Sequence, residues 1–186
     1  MKSKKDVTMR ILLVLSAVLS AALSAHLLTG AAAADQGALP AAKAVFRNLK
    51  GEIVGSAVLT ETPNGVLIIA DLRGLAPGIH GFHIHAVGAC EPPYKTAGGH
   101  FNPDGRKHGY LSAEGMHAGD LPNITAGPDG RAHVEVLAAS VTLGDGPNGL
   151  FDADGSSLVI HAASDDYSTD PAGNSGDRIA CAPITR

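Results

Sequence analysis

From about residue 35 onward, closely spaced turn signals cut the chain into short runs rich in Val and Ile, and helical signals are nearly absent. The runs Ala44–Leu49, Ile53–Leu59, Gly65–Leu72, His80–Val87, Ala132–Ala138, Ser157–Ala162 and Arg178–Ile184 are candidate strands. Between them stand Pro63-Asn64-Gly65, Ala76-Pro77-Gly78, Gly127-Pro128-Asp129-Gly130, Gly146-Pro147-Asn148-Gly149 and Asp154-Gly155. Proline pre-sets φ, glycine supplies positive φ, and Asn and Asp bond their own backbone, so each cluster reads as a turn. In Arg131 to Leu137, Ala132, Val134 and Val136 share one face of a pleated strand. Seven or eight short strands with this spacing predict an all-β antiparallel sandwich or flattened barrel. No internal repeat or linker divides it, so residues 35–186 read as one domain.

Residues 1–34 do not fit this pattern. Lys2, Lys4, Lys5 and Arg10 precede an almost wholly apolar stretch from Ile11 to Leu23, and Ala31 to Ala34 offers small residues for cleavage. That order of parts is a cleaved secretory signal peptide. The alternative is an uncleaved anchor, but an apolar run of about 13 residues falls short of the roughly 20 that span a bilayer. Cleavage predicts a periplasmic or secreted protein without stable membrane association. It removes four basic residues and Asp6, so the formal charge of −4 becomes −7. An acidic chain without basic runs is unsuited to nucleic acid. Both cysteines, Cys90 and Cys181, lie in the exported part. In an oxidising compartment they are most simply one disulfide, with two buried free thiols as the alternative.

Between Val87 and Thr125 no strand or helix is legible, yet the segment is far longer than an ordinary loop. It contains Cys90, His100, His108, His117 and Asp120, so it reads as a loop ordered by chemistry rather than by a core of its own. Before it, Gly81-Phe82-His83-Ile84-His85 places two histidines two residues apart, on one face of a strand. After it comes His161, in Leu158-Val159-Ile160-His161. A lone histidine in a strand is usually packed or solvated; the company of the others changes the reading. Imidazole suits copper and zinc, and one carboxylate beside histidines is common at zinc. Seven such ligands are too many for one tetrahedral ion but suffice for two if one imidazole is shared.

With these motifs in view, the sequence resembles the copper–zinc superoxide dismutases of the bacterial exported kind. The resemblance rests on Gly-Phe-His-Ile-His, Gly-Gly-His-Phe-Asn-Pro, His-Ala-Gly-Asp-Leu-Pro-Asn and Gly-Asn-Ser-Gly-Asp-Arg-Ile-Ala-Cys, in the family's order. It implies a Greek-key, eight-stranded flattened barrel or sandwich with long metal-binding and disulfide-tethered loops. It implies one copper on His83, His85, His100 and His161, and one zinc on His100, His108, His117 and Asp120, with His100 as a bridging imidazolate. Asp165 matches a carboxylate that bonds one copper and one zinc histidine, and such partners fix ring orientation. Arg178 matches a cation beside the copper, and Cys90 with Cys181 matches the family's disulfide. The implied reaction is dismutation of superoxide to oxygen and hydrogen peroxide through Cu(II) and Cu(I). The implied assembly is a monomer or homodimer.

Several residues stand outside that pattern. His80 is three residues from His83 and reads as a structural hydrogen-bonding residue, and His133 as a solvated one. Asp177 would weaken the field beside Arg178 unless it faces the other way. Pro183 lacks an N–H, so the last strand is expected at a sheet edge or to end early. Two rival functions remain in view: a copper-buffering domain on the same fold, and a zinc hydrolase. A zinc shell closed by three histidines and an aspartate disfavours the hydrolase, because catalytic zinc keeps an open position.

Overall fold

Alternating burial of small apolar and polar side chains forms the first strand, β1 (Ala41–Asn48), in which Ala42, Ala44 and Phe46 turn inward. The structure is a computed structural model describing residues 41–186, so the signal peptide predicted at 1–34 lies outside the described residues. β2 (Ile53–Thr62) and β3 (Gly65–Leu72) continue from β1 as antiparallel hairpins. They are followed by β4 (Gly78–His80), β5 (Phe82–His85), β6 (Ile124–Ala126), β7 (Ala132–Ala138), β8 (Ser157–His161) and β9 (Arg178–Thr185). Seven strands make one sheet in the order β5-β8-β9-β1-β2-β3-β7, and β4 pairs with β6 in a short ribbon. β9 returns from far along the sequence to lie beside β1 of the β1-β2-β3 meander, which is the Greek-key return. Only Gly81 separates β4 from β5, so the nine segments are eight strands with one bent. A Cβ at Gly81 would lie 2.8 Å from Ser175 Cβ, which leaves room for glycine alone at that bend.

The core is the inner face of this curled sheet, built from Phe46, Leu59, Ile68, Phe82, Ile84, Leu158 and Ile160, all without significant exposure. In β7 the inward positions include Ala132 and Val134, as the alternation predicts, while His133 is exposed. β5 and β8 differ from the others in being buried on both faces. Phe82, Ile84, Leu158 and Ile160 belong to the core. Their neighbours His83, His85 and His161 face the opposite way, under the long loops. Among the described residues no helix is long and apolar enough to cross a membrane.

The last strand corrects one expectation. β9 is neither an edge nor short: it runs through Pro183 between β8 and β1. The ladder to β1 keeps one register, with Ile184 opposite Ala44 and Cys181 opposite Arg47, and forms no pair at Ala182 and Pro183, while Pro183 pairs with Ser157 of β8. The missing N–H therefore falls at a gap in the β1 ladder rather than in a continuous run of pairs. Cys181 in β9 is bonded to Cys90, across a sequence separation of 91.

The facing of β3 is testable. Ile68 is fully buried and Ile69 is 37% exposed on the other face. Ile68→Ala is expected to lower stability by about 2–5 kcal/mol, and Ile69→Ala by less than about 1 kcal/mol, measured as shifts in urea midpoint. Equal losses would contradict the assigned register.

Candidate metal centre

A strand edge and two loop segments assemble the site. One edge of β5 pairs with β8. Along the other, Phe101 N–H donates to Ile84 O at 2.8 Å and Ile84 N–H donates to Gly119 O at 2.9 Å. These bonds set His100 opposite His85 and Asp120 opposite His83 as isolated bridges. The register of backbone pairing thus delivers loop donors to strand donors. A Cβ on Gly119 would sit 2.3 Å from Ile84 O, so only glycine permits this approach. The segment between β5 and β6 carries no other regular structure than a 3-10 turn at Lys95–Ala97.

All seven predicted ligands converge, in two groups that share one residue. His83, His85, His100 and His161 present ligand atoms within 4.8 Å of one another, and so do His100, His108, His117 and Asp120. All are buried. In the second group, Asp120 Oδ1 lies 2.8 Å from His100 Nδ1, 3.0 Å from His108 Nδ1 and 3.2 Å from His117 Nδ1. His117 Nδ1 and His100 Nδ1 are 3.4 Å apart. A tetrahedron with metal bonds of about 2.0–2.1 Å has edges of roughly 3.3–3.4 Å. The edge between His100 and His117 matches and those to Asp120 are somewhat shorter, so three imidazoles and a carboxylate are gathered as closely as zinc would need. In the first group His85 Nε2 and His161 Nε2 are 3.4 Å apart.

Two nitrogens carry the test of fit. His83 Nδ1 and His100 Nε2 are buried with no hydrogen-bond partner among the described residues. An unsatisfied buried polar atom costs about 1–3 kcal/mol. Two of them in one four-imidazole group mark a place for a cation, and imidazoles suit copper. His100 uses Nδ1 in one group and leaves Nε2 for the other, so a single ring spans both.

Four other ring nitrogens of the site are held by protein acceptors. Asp165 Oδ2 accepts from His83 Nε2 at 2.7 Å and Oδ1 from His108 Nε2 at 3.0 Å, joining one histidine of each group. His85 Nδ1 donates to Gly98 O at 3.0 Å and His161 Nδ1 to Gly176 O at 3.2 Å. These bonds fix the tautomers that leave Nε2 of both rings free as a ligand. His80, off the site, has Nδ1 2.7 Å from His161 O and Nε2 2.8 Å from Ala76 O, a structural role as expected.

Arg178, His85, His100 and His161 line an open cavity of about 360 Å³ whose lining includes no carboxylate. Asp177 is absent from that lining; it lines an adjoining cleft with Leu49, Pro93, Lys95 and Arg178 itself. Sequence reasoning passed over Asn123. Its Oδ1 accepts from Asp165 N–H and its Nδ2 donates to Asp165 O, both at 2.8 Å, which clamps the carboxylate that joins the groups. Its place at the end of His-Ala-Gly-Asp-Leu-Pro-Asn was the available signal.

Comparison with known proteins agrees with this geometry. The family model described as copper/zinc superoxide dismutase matches residues 53–184. A superoxide dismutase [Cu-Zn] of Aquifex aeolicus is 48% identical over 77% of this chain and 85% of its own. One of Caulobacter vibrioides is 42% identical over 77% and 84%. The crystal structure of a SOD-like protein from Bacillus subtilis is similar with a TM-score of 0.73 at 39% identity, covering 75% of this chain and 95% of that one.

Burial also sets a pH dependence for the metal-free fold. It holds His161 down at about 3 and His100 at about 4, and His85 well below its ordinary value. Burial opposes protonation of His108 too, but Asp120 and Asp165 at its two nitrogens outweigh it and raise it to about 9. As pH falls below about 6.5 the unfolded chain binds protons on the first three rings while the folded chain does not, so stability falls. His108, protonated in the folded state throughout, adds stability on acidification only until the unfolded ring is itself protonated, and this one ring does not offset the other three. Metal-free protein is expected to unfold at a lower urea concentration at pH 5 than at pH 7. Identical midpoints would contradict the neutral imidazoles.

Proposed function

The chain belongs to the copper/zinc superoxide dismutase family, and from that premise we propose that His83, His85, His100 and His161 hold copper while His100, His108, His117 and Asp120 hold zinc. The activity is dismutation of superoxide, an oxidoreductase reaction that turns two superoxide ions and two protons into oxygen and hydrogen peroxide. The observation that carries the assignment of ligands is the single His100 ring with one nitrogen in each donor set. Copper bound there supplies one-electron exchange, whereas zinc has no accessible redox change.

The chain's own residues do the rest. His83, His85 and His161 come from β5 and β8, so the rigid sheet fixes three of the four copper donors. Asp165 orients His83 and His108 together. His100 Nε2, buried without a protein partner, is the atom at which the chain holds and delivers a proton to departing peroxide. Arg178 draws the anionic substrate into a cavity free of carboxylates, against the net negative charge of the molecule, by focusing a local field.

The same reading makes residues 1–34 a cleaved signal peptide and 35–186 the dismutase domain. It places the mature chain in the periplasm or outside the cell as a monomer or homodimer. Nucleic acid and stable membrane association have no part in it.

Protein loaded with copper and zinc is expected to accelerate superoxide decay, and His161→Ala to abolish this. A loaded protein that holds both ions yet leaves the decay unchanged would instead be a metal buffer. Arg178→Glu is expected to slow the reaction by about tenfold or more while copper and zinc contents stay at wild-type values. Comparable losses of rate and metal would remove the steering role.

A further inference from the structure

Arg178 is held in the cavity wall by two carbonyl groups. Its Nη1 donates to Tyr94 O and its Nη2 to Gly98 O, both at 2.6 Å. Gly98 O also accepts from His85 Nδ1, so the guanidinium is located relative to a copper-side imidazole through one oxygen. What fixes these carbonyls is the turn at Tyr94. Its backbone is left-handed, with φ 69° and ψ 18°, a conformation that costs a non-glycine residue about 1–2 kcal/mol. Glycine would meet that backbone without cost, so the reason for tyrosine lies in its side chain.

That side chain is 1% exposed and heads the largest fully buried side chains of the described residues. It packs with Ala97, Val159 and Cys181 in a small cluster apart from the main core, beside the disulfide. Its hydroxyl donates to Arg47 O in β1 at 2.8 Å, and its own N–H donates to Glu91 O. The ring therefore nails a loop with almost no regular structure to two central strands, β8 and β9, and to β1. We propose that Tyr94 is a positioning residue for Arg178: its buried ring and hydroxyl hold the strained turn whose carbonyl aims the guanidinium into the cavity. The proposal rests on Arg178 being the substrate-facing cation.

The test uses the full-length mature protein with azide, a small anion, as the probe of the cavity. In copper- and zinc-loaded protein, azide affinity is read from visible absorption. Tyr94→Leu is expected to weaken it about fivefold and Arg178→Ala about tenfold, each with unchanged metal content. The double variant is expected to be no weaker than Arg178→Ala alone, since residues acting through one group do not add. Tyr94→Phe, which keeps the ring, is expected to lose about twofold. Losses that add in the double variant would make Tyr94 merely structural and overturn the proposal, as would wild-type affinity in both single Tyr94 variants. Should Tyr94→Leu fail to load metal, Tyr94→Phe decides through the same cycle. A second readout needs no copper: in zinc-loaded protein the two Nη groups of Arg178 are expected to give separate, slowly exchanging proton signals that coalesce in Tyr94→Leu and broaden in Tyr94→Phe. Signals unchanged in both would overturn the proposal. A protein that passes these tests but does not accelerate superoxide decay would fail the dismutase reading alone.

Discussion

Six imidazoles and two carboxylates are packed out of water against the back of a hydrocarbon core, and that burial is the constraint the rest of the structure answers. Polar groups removed from water must be paired. Asp165 pairs with His83 and His108, Gly98 O with His85, and Gly176 O with His161. What is left over, His83 Nδ1 and His100 Nε2, is left over in one place. The loops after β5 and β8 exist in their observed form because they bring these partners, and they hold their form because the outer edge of β5 bonds to Phe101 and Gly119.

Much of this was legible in the sequence because it follows from short periods. A period of two put His83 and His85 on one face and Ala132 and Val134 on another, and turn residues marked most strand ends. The motifs around His100, His117 and Asp120 carried the resemblance that assigned the remaining donors. What escaped was whatever depends on pairing between distant segments. β6 is only three residues long and carries too little alternation to be seen. Pro183 was misjudged because a proline's fit depends on the partner strand, and the β1 residues opposite it, which form no ladder pair there, lie more than a hundred residues away. Asn123 and Tyr94 act through backbone atoms of other residues, and only Asn123, at the end of a motif, had a signal in its neighbours' identities.

The electrostatic arrangement separates the molecule's overall charge from the charge at its cavity. An acidic chain would repel a small anion at long range. Arg178 borders both the imidazole cavity and the cleft beside it, whereas its neighbour Asp177 lines the cleft and not the imidazole cavity. The carbonyl groups of Tyr94 and Gly98 hold both Nη groups of Arg178, which keeps its charge at the wall of the imidazole cavity.

β5 lies at the end of the seven-stranded sheet, and only loop backbone covers its outer side. That loop is kept in place by one covalent bond, by the groups around the imidazoles and by the burial of Tyr94, Phe101 and Leu121. Release of those tethers would leave a row of unpaired N–H and C=O groups beside Phe82 and Ile84, a template for foreign strands. By bonding Ile84 and Ala86, the loop closes the open end of the sheet as well as furnishing donors.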